Sequence, residues 1–277
     1  DDRFEGNFVL PEELTSDRYY FRMANSITGA NVYFRTLMFR NDGSFYWRGV
    51  LHEFVEQRKK TVVEQKIFGD YYVISGRFGA RSNNPQKYFQ DAQVLEKAFY
   101  SPEDEDLKDR YAFYTAQSYR DADMPEKAIE WYAKRANLGG WYEEVYYSLL
   151  QIALLKIELN ASLNEIQNLL LATYEYRPQR AESLYHLARQ LRYHNKARLA
   201  YIYATVAANI PLSKDILFVD HAVYEWKAKE ELAMSANSVG NYQLCHDLCV
   251  ELLFNPAVPE PNRKLLLDNL KLAKEHL

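Results

Sequence analysis

The stretch FYWRGVLHEF, residues 45–54, ends beside a His-Glu pair whose side chains can do chemistry. An imidazole can ligate a divalent metal, and a carboxylate can take a proton from an attacking hydroxyl. Read as a strand over Phe45 to Val55 that stops near His52, the segment points His52 and Glu53 to opposite faces. The two can then serve different roles. Gly49 lets backbone or ligand come close. The competing reading is a packed or surface histidine. A second candidate is the opening DDRFEG. Adjacent carboxylates at Asp1 and Asp2 suit an oxygen-loving cation that also binds substrate phosphates. An exposed acidic terminus explains them equally simply. The third is SGRFGARSNNP, residues 75–85. Gly76, Gly79 and Ala80 surround Arg77 and Arg81 ahead of a helix start, an arrangement suited to cradling phosphate. It matches neither a P-loop nor a dinucleotide fingerprint, and a joining loop is the plain alternative.

The elements that must position these residues fall into two rhythms. Up to about residue 80, short β-branched and aromatic runs are separated by Gly and Asn. DRYYFRMANS, NVYFRTLMFRN, SFYWRGVLHEFVE and DYYVISGRFG read as strands. Asp42-Gly43 is a hairpin signal, and KTVVEQKIF reads as an edge strand with charged flanks. From Pro85 the period becomes helical, with Asn84 as N-cap and Pro85 at the first helical position. Tyr88, Ala92, Leu95 and Phe99 share one face. Beyond it, roughly ten helices of about 12–20 residues are broken by Pro, Gly and Asn, and no strand is needed. Helix pairs recur at intervals of about 34 residues. Their small and aromatic positions are Ala116, Tyr119, Ala128 and Tyr132 in one unit. Ala188 and Ala200 mark another, and Ala233, Gly240, Tyr242, Cys245 and Cys249 a third. This pattern resembles degenerate tetratricopeptide (TPR) repeats.

Composition narrows the classes. The 277 residues carry a net charge of -4, which argues against a general nucleic-acid binder. Apolar residues make up 48%, enough for a sizeable core. No apolar run approaches the roughly 20 residues needed to span a bilayer. Cys245 and Cys249, four apart on a helix, read as small packed side chains rather than a metal site with His246, and fit a reduced, cytoplasmic setting. Trp131, Trp141 and Trp226 read as packing anchors. WYEEVYYSLL reads as repeat core plus groove wall. The start at Asp1 without Met reads as a fragment or processed product.

Taken in order, DDRFEGNFVLP, YFRTLMFRNDGSFYWRGVLHEFVE, GARSNNPQKYFQDAQVLEKAF and RYAFYTAQSYRDADMPEKAIEWYAKRANLGGWYEEVYYSLLQIA resemble bacterial family 2 glycosyltransferases with a C-terminal TPR array. The resemblance implies a mainly α chain: residues 1–84 as the mostly β remnant of a GT-A domain, residues 85–277 as the TPR-like superhelix. It implies a nucleotide-sugar donor, Mn²⁺ or Mg²⁺, inversion at the sugar carbon, and a glycan, lipid or protein acceptor. Asp1 and His52 would be metal ligands, Glu53 the base, and Asp2, Arg77 and Arg81 the donor-phosphate contacts. Trp47 and Arg48 would line the acceptor groove. The nucleotide-binding half is absent before Asp1, so the chain alone is expected to be inactive. The alternative is a non-catalytic repeat scaffold that binds a protein partner or a second copy of itself.

Overall fold

The computed structural model describes residues 2–24, 33–74 and 84–277. The chain is mainly helical, with ten α-helices among the described residues and every described strand before residue 75. It divides into two compact units, Asp1–Asp123 and Met124–Leu277. That division falls later than the change of rhythm near Pro85.

The first unit holds two sheets. β1 (Arg3–Gly6), β7 (Tyr71–Ile74), β2 (Arg18–Ala24) and β3 (Tyr33–Phe39) lie side by side in that order, and β6 (Glu64–Lys66) adds to β2. β1 with β7 and β2 with β3 are antiparallel, whereas β2 runs parallel to β6 and β7. The alternation in β2 buries Tyr19, Phe21 and Met23 against Ile67, Tyr71 and Val73. Helices α1 (Lys87–Phe99) and α2 (Lys108–Asp121) complete the unit.

Three local expectations for this unit are corrected. The segment Phe45 to Val55 is a hairpin rather than one strand: β4 (Phe45–Arg48) pairs antiparallel with β5 (Phe54–Gln57). The chain reverses because Gly49 and His52 both take left-handed backbone, with φ of 96° and 54°. Asp42-Gly43 makes a turn but not a hairpin, since β3 and β4 belong to different sheets. There the Asp42 carboxylate accepts the Ser44 N–H at 3.0 Å, an Asx turn that redirects the chain. Finally, α1 begins at Lys87, two residues past Pro85. The Asn84 side chain accepts the Gln86 N–H at 2.9 Å, ahead of the helix.

The second unit stacks α3 (Pro125–Leu138), α4 (Tyr142–Glu158), α5 (Leu163–Tyr176), α6 (Glu182–Tyr193), α7 (Ala197–Asn209), α8 (Ala228–Ser238), α9 (Tyr242–Leu253) and α10 (Glu260–Lys274). A π-helical turn, Val223–Lys227, leads into α8. Each helix packs on its sequence neighbours, and α6 also touches α8, as α8 touches α10. These alternate helices therefore share one side of the stack. Of the repeat positions read from sequence, Ala128, Tyr132, Ala188, Ala200, Ala233, Cys245 and Cys249 are inaccessible in this unit, as are Ala116 and Tyr119 in the first, whereas Tyr242 is half-buried and Gly240 exposed. Small side chains let the helix backbones approach, and the tyrosines fill the space beside them. The breaks use Asp123, Asn160 and Asn195 in left-handed conformation, which short polar side chains tolerate best after glycine. Ser162 and Asn241 cap α5 and α9 by accepting backbone N–H bonds. Trp131 and Trp226 are buried anchors, but Trp141 is exposed at the start of α4. Among the described residues, no helix is long and apolar enough to cross a membrane.

Candidate functional site

The hairpin turn places His52 against a helix. Its ring lies flat on Tyr114, centroids 4.0 Å apart and planes 9° from parallel. Arg110 donates to the His52 carbonyl at 2.5 Å and covers the rings of Phe54 and Tyr114. Leu51 and Phe54 pack on the cluster of Leu95, Leu107 and Tyr111. Burial, with Arg110 second, holds the His52 pKa below its usual range. The imidazole thus fastens the hairpin to α2. Arg48 is likewise committed: it bridges Glu56 at 3.0 Å and Asp106. Trp47 is exposed, edge-on to Phe39, and Glu53 is exposed in the turn. Asp2 precedes β1, in the sheet that does not contain the hairpin. Asp1, Arg77 and Arg81 lie outside the described residues. Among the described residues, no three His, Cys, Asp or Glu side chains form a metal-holding group.

A more substantial assembly of polar groups sits in the second unit. The segment between α7 and the π turn is clamped by buried charge. Glu143 accepts the N–H groups of Ile216 and Leu217 at 2.8 and 2.7 Å. Arg177 donates to Asp215 at 2.6 Å. Arg180, fully buried, donates to Glu182 at 2.7 and 3.0 Å, to Asp215 at 3.3 Å, and to the carbonyls of Leu217 and Phe218. Glu182 also accepts from Tyr224 at 2.9 Å and from the Asp220 N–H at 3.2 Å. Buried ions persist only when paired and hydrogen-bonded in this way. The Arg177 hydrogen bond, joined by Arg180, holds the Asp215 carboxyl below the ordinary carboxylate range.

The clamp sets Asp220 against Lys227 at 2.7 Å, ahead of α8. His186 is half-buried beside Tyr185. Arg189, Asp220, Lys227 and Glu182 are the charges that act on its ring. Burial, with Arg189 second, pushes the imidazole down to about 4, so it is neutral at pH 7. One turn on, Arg189 donates to the Tyr193 hydroxyl at 3.2 Å and covers its ring. Among the described residues, Arg189 has no carboxylate partner. Neighbouring Arg192 is paired with buried Glu231 at 2.7 Å. This face of α6 therefore offers an exposed guanidinium with no ion pair among the described residues, a neutral imidazole and an exposed tyrosine edge. Sequence reading did not single out these residues, because the Asp220 and Lys227 whose charges act on His186 come from elsewhere in the chain.

A depressed histidine carries a stability consequence. The unfolded chain takes up a proton at His186 near pH 6.5, while the folded one resists until about 4. Its contribution is complete above pH 6.5 and is lost as pH falls toward 4. It amounts to at most about 3 kcal/mol. We expect the urea midpoint to fall over that interval and the fall to shrink in His186→Gln. An NMR titration placing His186 near 6.5 would exclude this.

No protein-family model matches the chain, and no curated protein matches it. Among solved structures, the chain is similar to MamA at 13% identity, covering 73% of this chain and 96% of that one, with a TM-score of 0.44. It is similar to the nearly identical TPR-like repeats of a Podosopora anserina kinesin light chain at 17% identity, covering 64% and 89%, TM-score 0.44. It is also similar to BtubC from P. vanneervenii at 16% identity, covering 69% and 72%, TM-score 0.45.

The glycosyltransferase expectation is corrected here. No family model supports it. The physical reason lies in the residues that carried it. His52, expected as a metal ligand, and Arg48, expected in the acceptor groove, hold a hairpin to helices and acids of their own unit.

Proposed function

We propose that the chain is a protein-interaction scaffold, and that the α6–α8 side of its second unit holds an acidic segment of a partner protein. The observation that carries this reading is Arg189. It is exposed, aligned by Tyr193, and lacks a carboxylate among the described residues while its neighbours Arg192 and Lys227 are paired. A partner carboxylate beside Arg189 completes the same pattern of charge-assisted bonds. The neutral, half-buried His186 ring gives that segment a polar floor, and Tyr193 gives it an aromatic wall.

Peptide arrays of matched acidic and basic sequences test this. Acidic peptides are expected to bind, and Arg189→Glu to weaken them about tenfold or more. The variant should melt at the wild-type temperature, since Arg189 is exposed. Equal binding of acidic and basic peptides, or unchanged binding in Arg189→Glu, would sink the reading.

A further inference from the structure

The connection that leaves α7 is longer than the stack requires. Residues 210–220 form neither helix nor strand, whereas the other connections between helices of the second unit take three to six residues. Helix–helix connections usually need about two to eight. The extra length here is a strap across the starts of α4 and α6, held by its backbone and one carboxylate. Glu143 accepts the N–H groups of Ile216 and Leu217 at 2.8 and 2.7 Å. Arg180 donates to the carbonyls of Leu217 and Phe218 at 3.4 and 3.2 Å. Arg177 and Arg180 share the Asp215 carboxylate. The strap's apolar side chains gain little from this: Ile216, Phe218 and Leu212 are 82%, 53% and 51% exposed. Phe218, whose ring rests 4.8 Å from Tyr147, takes left-handed backbone with φ of 45°. Such backbone is unfavourable for a bulky residue and persists only where its surroundings impose it.

We propose that the starts of α4 and α6 form a peptide-binding site, filled in this structure by the chain's own residues 215–218, and that a partner segment of the same chemistry takes their place. That chemistry is a carboxylate, two aliphatic residues and an aromatic one. Recognition through consecutive main-chain groups, with a side-chain anchor for specificity, is how extended peptides are held. The carboxylate is what selects the occupant. Arg180 is completely buried and Arg177 is ion-paired to Asp215. A ligand without an acid would leave these guanidiniums short of a partner, which a buried charge tolerates badly. A segment that brings its own carboxylate leaves the pairing as it is. Little apolar burial opposes release of the strap, because its large side chains already face solvent. The site is built from residues other than Arg189, so it stands or falls apart from the α6 face.

Fluorescence anisotropy with a labelled SKDILFVD peptide, the sequence of residues 213–220, tests the proposal. The full chain carries Arg189→Glu throughout, so that the peptide's acids are not held at the α6 face. With the native strap in place, the tethered segment competes at an effective concentration of about a millimolar, and the peptide should bind weakly. Loosening the strap by Asp215→Ala with Phe218→Ala should tighten peptide binding about tenfold or more. The bound peptide should also raise the melting temperature of that variant. A peptide carrying the Asp215→Asn or Phe218→Ala change should bind the loosened chain about tenfold more weakly than the native sequence. A loosened chain that binds no tighter than its parent overturns the proposal, as does equal binding of a scrambled peptide. Should the loosened chain unfold, the peptide is expected to restore its circular dichroism. Failure to restore it would make the strap a fixed brace and overturn the proposal as well.

Discussion

Replacing Arg180 with alanine is expected to lower the unfolding free energy of the second unit by about 3–5 kcal/mol. Arg180 is completely buried, and its guanidinium faces Glu182, Asp215 and two carbonyls at once. Glu182 and Asp215 are nearly as inaccessible, with side-chain exposures of 2% and 4%. Alanine leaves Glu182 without its guanidinium, and Asp215 with Arg177 alone. An unpaired carboxylate in such a site costs far more than the net worth of the pair. The pairing of Arg180 with Asp215 also ties the start of α6 to a segment 35 residues later. That segment should loosen, and hydrogen exchange should rise at the Ile216 and Leu217 amides that Glu143 now holds. Urea unfolding followed by circular dichroism gives the magnitude. Removing both charges, as Arg180→Met with Glu182→Leu, should cost less than the sum of the single changes, because each single change strands its partner. A loss below about 1 kcal/mol for Arg180→Ala would put the cluster in the class of surface ion pairs and refute the clamp.

Gly6→Ala should destabilise the first unit by about 3 kcal/mol. Gly6 ends β1 opposite Tyr71, with φ of 86°. A Cβ there would stand 2.4 Å from the Asp70 carbonyl oxygen and 3.0 Å from the Tyr71 Cα, and both are backbone atoms that cannot swing aside. Left-handed backbone costs a non-glycine residue about 1–2 kcal/mol, and overpacking adds about 1–3. The same carbonyl accepts the Asn7 N–H at 2.7 Å, so relief of the clash breaks that backbone bond as well. Gly43 is the control. Its φ is 77°, yet nothing lies within 4 Å of the added carbon. Gly43→Ala should show the strain term alone, about 1–2 kcal/mol. Equal melting temperatures for the two variants would rule out the close approach of β1 to β7.

Much of the helical stack was legible in the amino-acid order. The burial of Ala116, Ala128, Ala188, Ala200 and Ala233 follows from a helical period that needs no distant information. The breaks were legible too, because Asp, Asn and Gly at those points reverse the chain by local conformation. Strands β2, β3 and β7 announced themselves through β-branched and aromatic runs. The segment from Phe45 to Val55 misled, since the left-handed turn at Gly49 and His52 divides it into two paired strands. The role of His52 was not legible for a related reason. A histidine beside a glutamate looks the same in sequence whether it ligates a metal or stacks on a tyrosine 62 residues away.

By itself, then, the sequence determined the helices, their ends, and the small positions at which they meet, because each depends on residues within one or two turns. Only the tertiary structure decided where the charges went. Arg180, in a polar break that reads as exposed, is fully buried because Asp215, Leu217 and Phe218 return to it. Arg189, on a helix with many other ions, is left unmatched because Arg192 took Glu231 and Lys227 took Asp220. Charge pairing depends on which distant segments arrive, and local periodicity holds no record of that.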